Sequence, residues 1–385
     1  MKDFFTENKV ELVVVGPEVP LIAGVSDRLR RQGIRVMGPT QAQAHLEGDK
    51  VFMRDLLRRR VQKGSPQWRE VRDVETARNF IREVGQVAVK PIGLTGGKGV
   101  SVMGVHFQTI DEALERVQTS LEQDGVVLLE ERLIGEEFSR MAFVADGKIM
   151  GMPVAQDFKY AYDGDQGGMT GGMGAYSMAD GSMPFLTRDD LQEADLILQL
   201  TVNAIEEETG AGYRGFLYGQ FITTAHGVRV IEYNVRLGDP EAINMMALLD
   251  TDAPEFFGEL ADGQLRKENA AFLPQASVCK YLVPAAYPQS GSEKIVVNLK
   301  DEDVNQEGFS IIYASIVEKP QGLETLGARA LAVVGIGTDA GNISAGIEAL
   351  LGRIEPTTLR HRKDIGDVQI IQKKVRKMES LRKGM

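Results

Sequence analysis

The segment Glu232-Tyr233-Asn234-Val235-Arg236 carries the densest chemical information in the chain. On an extended strand successive side chains alternate faces, so Glu232, Asn234 and Arg236 point the same way. A carboxylate and an amide oxygen on one face suit Mg²⁺, which takes oxygen ligands and usually bridges to nucleotide phosphates. Arg236, next along that face, suits a phosphate or a carboxylate. Gln220, twelve residues before Glu232 across an expected hairpin, offers another oxygen. The plain alternative is a strand with a polar solvent face. Asp239 and Glu241 follow directly, where strand meets helix, and these two carboxylates tip the balance towards a site.

Two glycine-rich stretches add to this. Residues 93–99 (GLTGGKG) follow an apolar strand ending in Lys90. Glycines let backbone N–H groups approach phosphates closely, and lysines supply charge. The stretch is neither a P-loop nor a GxGxxG fingerprint, and a simple hairpin turn is the alternative. Residues 164–174 (GDQGGMTGGMG) are too long and too glycine-rich for a routine turn, which leaves close backbone approach or a mobile linker. Residues 128–133 read as a buried strand leading into the acids Glu136 and Glu137, an edge that could hydrogen-bond an adenine with an acid on ribose hydroxyls. G-x-S-x-G, H-E-x-x-H and C-x-x-C are all missing. The pattern is electrostatic and positional, as phosphoryl chemistry requires.

The elements that must position these residues follow from periodicity. Residues 10–15 (VELVVV) read as a fully buried parallel strand, residues 21–32 as a helix and 34–37 as a second strand, a βαβ unit. A helix is expected from about 41 to 60, broken by Gly64-Ser65-Pro66. Strands are expected at 87–91 and 126–131, and residues 164–174 as a loop. A helix over 188–207 carries Leu191, Ala194, Leu198, Val202 and Ile205 on one stripe, and strands at 215–222 and 228–235 join around Gly227. The last hundred residues suggest a smaller β-rich unit with one helix near 342–351. In the tail, 371–385, six Lys/Arg against one Glu read as a solvated basic helix end.

Composition narrows the setting. The 385 residues are 43% apolar and 26% charged, enough apolar surface to offset chain entropy and to suggest two or three domains. No run of about 18 uncharged apolar residues exists to span a membrane, and the first residues lack a signal-peptide core. One cysteine, Cys279, excludes an internal disulfide, and four histidines argue against a Cys/His zinc site. These features point to a cytoplasmic protein. The net charge of −11 argues against nucleic-acid partners but not against anionic small substrates.

In order and spacing, VVVGPEVPLIAGVSDRLRRQGI, GPTQAQAHLEGDKVFMRDLL, VAVKPIGLTGGKGV, LLEERLIGEEFS, GDQGGMTGGMGAYS, GFLYGQF, VIEYNVRLGDPEA and HRKDIG resemble the phosphoribosylamine–glycine ligase (glycinamide ribonucleotide synthetase) family of the ATP-grasp superfamily. YGQF and KYLVPAAYP are similar to its archaeal branch. The resemblance implies an α/β and α+β multidomain chain. It would comprise the remnant of an N-terminal parallel α/β domain (1–47), an ATP-grasp fold (48–275) and a small β-rich C-terminal domain (276–385). It implies ligation of glycine to 5-phosphoribosylamine at the expense of ATP, through glycyl phosphate, with Mg²⁺ or Mn²⁺, by a monomer or weak dimer. Carried over by residue, Lys50 and Lys90 look like the ATP-phosphate lysines. Gly93, Gly96, Gly97, Lys98 and Gly99 look like the phosphate lid. Glu130, Arg132 and Leu133 look like the adenine hinge, and Glu137 like the ribose acid. Gln220, Glu232 and Asn234 match the metal ligands. Arg236, Asp239, Glu241 and the run Gly171, Gly172, Met173 and Gly174 look like the substrate side, with Arg236, Asp239 and Lys98 as catalytic residues.

Three stretches depart from the family. Ile92 stands where an acid is usual, the usual QDHKR reads Gln156-Asp157-Phe158-Lys159-Tyr160, and the usual TGPNTGG reads QGGMTGG. The glycine-rich turn of a preceding strand–helix–strand unit is also missing from the sequence, which predicts an N-terminal truncation and weakened binding of the amine substrate.

Overall fold

The computed structural model describes residues 5, 7–92, 99–266, 270–289, 294–297, 308–353 and 359–384. At the N-terminal end, Leu12–Val14 pairs in parallel with Arg35–Met37, and Val13 lies opposite Val36. The strand is less buried than its composition predicts: Val15 is buried, but Val14 is 39% exposed. A two-stranded sheet leaves open a face that a central parallel strand would have covered. The expected helix at 21–32 is two short ones, Glu18–Ile22 and Val25–Arg30, because Gly24 between them turns into the left-handed region at φ 75°.

The helix expected at 41–60 is also divided. Thr40 and Gln43 form a capping box that starts Gln41–Gly48. Asp49 then leaves the helical region (φ −139°, ψ 103°) and accepts the Val51 and Phe52 amides at 2.9 and 3.0 Å, starting Lys50–Leu56. A short acidic side chain thus restarts the helix, a break that the apolar spacing did not show.

A four-stranded antiparallel sheet follows, in the order Trp68–Val71, Val127–Glu131, Val87–Lys90 and Ser101–Val102. Helices Val74–Val84 and Ile110–Asp124 cover it, with Phe80, Ile81 and Val117 buried against Val87, Val89, Val127 and Leu129.

The remainder is built on one ten-stranded sheet. Its central path runs Gly227–Asn234, Arg214–Thr224, Gly135–Ala145, Ala155–Asp157, Gly174–Ser177, Ala276–Pro284, Leu331–Gly337 and Phe309–Tyr313. Helix Arg188–Thr209 packs on it through Ala194, Leu198, Val202 and Ile205, the expected stripe. The β-rich C-terminal residues join the same sheet: Gly174 to Ser177 pair with Lys280 to Ser277. Helix Ala340–Leu351 covers its far end.

Two further expectations are corrected here. Residues 164–174 are not one irregular loop, because Tyr160–Tyr162 and Gln166–Met169 form a hairpin across Gly164 and Asp165, both at positive φ. The basic tail is not a solvated end. Helix Val368–Lys383 buries Ile371 and Met378, pairs Lys377 with Glu136 at 2.7 Å and pairs Arg382 with Asp190 at 2.6 Å. Ile371 and Met378 share its buried face, and two of its cations, Lys377 and Arg382, meet acids on the elements it packs against. No helix among the described residues is long and apolar enough to cross a membrane.

Candidate active site

The hairpin Arg214–Thr224/Gly227–Asn234 sets the site's geometry. Gln220 lies opposite Glu232 and Tyr218 opposite Asn234, with a bulge just beyond Gln220. Glu232, Asn234 and Arg236 line a cavity of about 490 Å³, together with Lys50, Asp157, Lys159, Asp239 and Glu241. Same-face alternation is therefore realised, and it faces the cavity rather than open solvent. Gln220 is 1% exposed and does not line the cavity. Its Oε1 lies within hydrogen-bonding distance of the Tyr218 and Ser139 hydroxyls, which Glu241 also engages, and its Nε2 donates to Glu137 Oε2 at 3.2 Å. The Glu232 carboxylate and the Asn234 amide oxygen form an all-oxygen donor set on one wall, which fits a hard divalent cation.

The lysine side of the cavity rests on a buried charge cluster. Glu130 is 3% exposed and receives Arg54 through Nε at 2.6 Å and Nη2 at 2.9 Å, and Lys90 Nζ at 2.7 Å. Arg54 also donates to the carbonyls of Val230 and Ile231 at 2.9 and 2.8 Å, tying the cluster to the hairpin that carries Glu232. Burial holds the Lys50 ammonium below its ordinary pKa, with Lys90 adding to the effect against Glu232 and Glu130. Arg132 is anchored beside the strand, its N–H on the Gln86 carbonyl at 2.8 Å and its Nη1 on Gln86 Oε1 at 3.0 Å. Leu133 is half-buried, and neither residue lines the cavity. Glu137 accepts from Lys159 Nζ at 3.0 Å. Gly93, Gly96, Gly97 and Lys98 lie outside the described residues. Gly99, at φ 96°, returns the chain to Val100, which lines the cavity.

On the opposite side, Arg236 is clamped by two acids. Its Nε faces Glu18 at 3.2 Å, and its Nη2 faces Glu47 at 3.0 Å and Asn234 Oδ1 at 3.0 Å. Burial pushes the Glu47 carboxyl up to about 7 against the opposing pull of Arg236. Asp157 is also pushed up to about 7, by burial first and then by Glu241 and Glu137, while Lys159 opposes. Lys159 is raised because its acidic neighbours, led by Asp157, outweigh its own burial. Glu241 is buried and accepts the Ser139 and Tyr218 hydroxyls at 2.8 and 2.6 Å. Asp239 accepts the Tyr281 hydroxyl at 2.8 Å and Arg329 Nη2 at 2.5 Å.

Of the run 171–174, Gly171 lines the cavity, while Met173 is fully buried in the core and Gly174 sits in a strand. Gly172 needs to be glycine: at φ 103°, an added Cβ would lie 2.6 Å from Pro240 Cδ. Glu18, Glu47, Tyr281 and Arg329 were not singled out from the sequence. Glu47 stands inside a quoted stretch, HLEGDK, but nothing local to Arg329 signals its place at the cavity.

A four-stranded antiparallel sheet, and a larger sheet whose hairpin carries Glu232 and Asn234 to a cavity also lined by Lys50 and Lys159, are the parts of an ATP-grasp protein. The biotin carboxylase domain of the Hydrogenobacter thermophilus 2-oxoglutarate carboxylase shares this fold, with a TM-score of 0.70 at 16% identity over 100% of this chain and 81% of that one. Family models for phosphoribosylglycinamide synthetase match most of the chain: the N domain over residues 1–47, the ATP-grasp (A) domain over 48–242 and the C domain over 277–368. Phosphoribosylamine–glycine ligases from Methanopyrus kandleri and Methanosarcina barkeri are 41% and 42% identical, covering 97% and 99% of this chain and 85% and 86% of theirs. The crystal structure of the Thermotoga maritima phosphoribosylamine–glycine ligase superposes with a TM-score of 0.73 at 28% identity, over 86% of this chain and 81% of that one. The chain belongs to the phosphoribosylglycinamide synthetase family of ATP-dependent ligases.

Proposed function

We propose that this chain joins glycine to 5-phosphoribosylamine, converting ATP to ADP and phosphate and giving glycinamide ribonucleotide. The observation that carries the reading is that Lys50, the oxygen donors Glu232 and Asn234, and the substrate-side group Arg236–Asp239 line one and the same cavity. Lys50 and Lys90 would neutralise nucleotide phosphates. Glu130, Arg132 and Leu133 would border the base, and Glu137 the ribose. Glu232 and Asn234, with Gln220 behind them, would hold Mg²⁺ or Mn²⁺, which supplies charge neutralisation on the transferred phosphoryl group.

The glycine carboxylate attacks the γ-phosphorus, ADP departs, and glycyl phosphate forms. The nitrogen of phosphoribosylamine then attacks the acyl carbon, expelling phosphate and losing a proton as the amide forms. Both steps develop charge at oxygens, so fixed cations and aligned donors supply the catalysis rather than a protein nucleophile. Arg236 and the Gly171–Gly172 backbone would face the transferred phosphate, and Asp239 and Glu241 the amine-bearing substrate.

The test is ADP release by the purified chain, measured with each substrate omitted in turn. Release is expected only when ATP, glycine and phosphoribosylamine are all present, and Glu232→Gln should lower kcat by about a hundredfold or more at saturating metal. ADP release that ignores glycine and phosphoribosylamine would point to another substrate pair. Tight ATP binding without turnover would point to a nucleotide-binding protein.

A further inference from the structure

Arg329 lies just before the strand Leu331–Gly337 and is distant in sequence from the other cavity residues, yet it joins two of the segments that bound the cavity. Its Nη1 donates to the carbonyls of Gly171 and Gly172 at 2.7 and 3.0 Å and to that of Asp239 at 3.3 Å. Nη2 donates to Asp239 Oδ2 at 2.5 Å. The guanidinium stacks over Tyr281, 4.5 Å from the ring centroid, and the Tyr281 hydroxyl donates to Asp239 Oδ1 at 2.8 Å. Both Asp239 oxygens are thus held by residues of the C-terminal segment, while the side chain stays 50% exposed at the cavity. Each carboxylate oxygen has room for a second donor, so Asp239 is an immobilised anion able to accept an amino N–H. The planar fork of arginine suits this work, because a lysine ammonium is a point charge that cannot span two main-chain carbonyls and a carboxylate while stacking on an aromatic ring.

We infer that Arg329 is a positioning residue for the amine substrate: with Tyr281 it fixes the Asp239 carboxylate and the Gly171–Gly172 turn where the amino group of phosphoribosylamine is received. The C-terminal segment thereby completes the site. The inference rests on the ligase reading above and adds which substrate this corner of the cavity recognises.

The experiment compares the full chain with its Arg329→Met, Arg329→Lys and Tyr281→Phe variants, measuring kcat and the KM of each substrate. Arg329→Met should raise the KM for phosphoribosylamine about ten- to a hundredfold, with the KM for ATP and for glycine changing by less than about twofold. Arg329→Lys should recover only part of this loss, and Tyr281→Phe should raise the same KM by a smaller factor. If Arg329→Met does not fold, the selective shift in Tyr281→Phe decides the matter. An equal rise in all three KM values, a change in kcat alone, a shift in glycine KM instead, or full rescue by lysine would overturn the inference. Should the unaltered chain release ADP without needing glycine and phosphoribosylamine, the ligase reading fails and takes the inference with it. A failed variant pattern on an active chain defeats the inference alone.

Discussion

Arg54, Glu130 and Lys90 show how a site residue can be supported by groups whose purpose is invisible in their own segments. Arg54 is completely buried, and Glu130 and Lys90 are nearly so. Two cations around one carboxylate withstand burial only because the remaining donors are also satisfied, here by the carbonyls of Val230 and Ile231. Arg54→Met leaves the buried Glu130 with Lys90 as its remaining ionic partner and takes a donor from the carbonyls of Val230 and Ile231, the latter keeping Lys90 Nζ at 3.3 Å. It should destabilise the chain by about 3–5 kcal/mol in urea unfolding, since removing one member of a buried ion group strands the others. Glu130 was expected at the adenine edge, and its place on the strand was legible as the end of an apolar run. Its ionic partners were not, because Arg54 reads as one cation on a helix and pairs across 76 residues.

At the scale of elements, the 214–234 hairpin was the most legible part of the chain. Alternation on a strand is a local property, so placing Glu232 and Asn234 on one face needed nothing beyond the backbone. The bulge beside Gln220 was not legible, nor was the helix restart at Asp49, where one residue takes local hydrogen bonds over the regular pattern. The junction of strand Ala276–Pro284 with helix Ala340–Leu351 makes a pH prediction. Lys280 is fully buried, and its Nζ reaches Glu348 at 2.7 Å, while His361 Nε2 lies 3.0 Å from the same carboxylate. Burial acts against ionisation of Glu348, but His361 and Lys280 outweigh it and hold its pKa below the ordinary 4.5. A depressed acid contributes stability that is present above 4.5 and lost as pH falls through its folded value. Glu348→Gln should therefore lower stability at neutral pH, towards the lower end of about 3–5 kcal/mol because Glu348 is partly exposed. The gap between variant and parent should close as unfolding is measured at pH values further below 4.5.

For the whole molecule, the ten-stranded sheet outweighs the sequence divisions. Gly174–Ser177 and Ala276–Pro284 exchange a full antiparallel ladder, and helix Val368–Lys383 returns to pair with Glu136 and Asp190. The cores of the two parts are continuous: Leu198, Tyr176, Val278 and Leu331 belong to one buried cluster. Thermal unfolding followed by far-ultraviolet circular dichroism and by calorimetry should show one coincident transition for residues 135–384. Proteolytic cutting between 262 and 275 should leave the two pieces associated until denaturant is added. A separate early transition for the C-terminal residues would contradict this.

Period, turn chemistry and strand alternation act over a few residues. They were enough to put Glu232 and Asn234 on one strand face and to mark most of the helices and strands, while the family resemblance came from whole motifs in order. Contacts between distant segments could not be reached that way. The pairing of Arg236 with Glu18 and Glu47, the reach of Arg329 to Asp239 and Gly171, and the docking of the basic tail all join residues far apart along the chain. An ion pair leaves no local periodic trace of its partner. Which charges meet is settled when packing of the sheets and helices brings their backbones into register, and only then does burial decide which of those charges the cavity can keep.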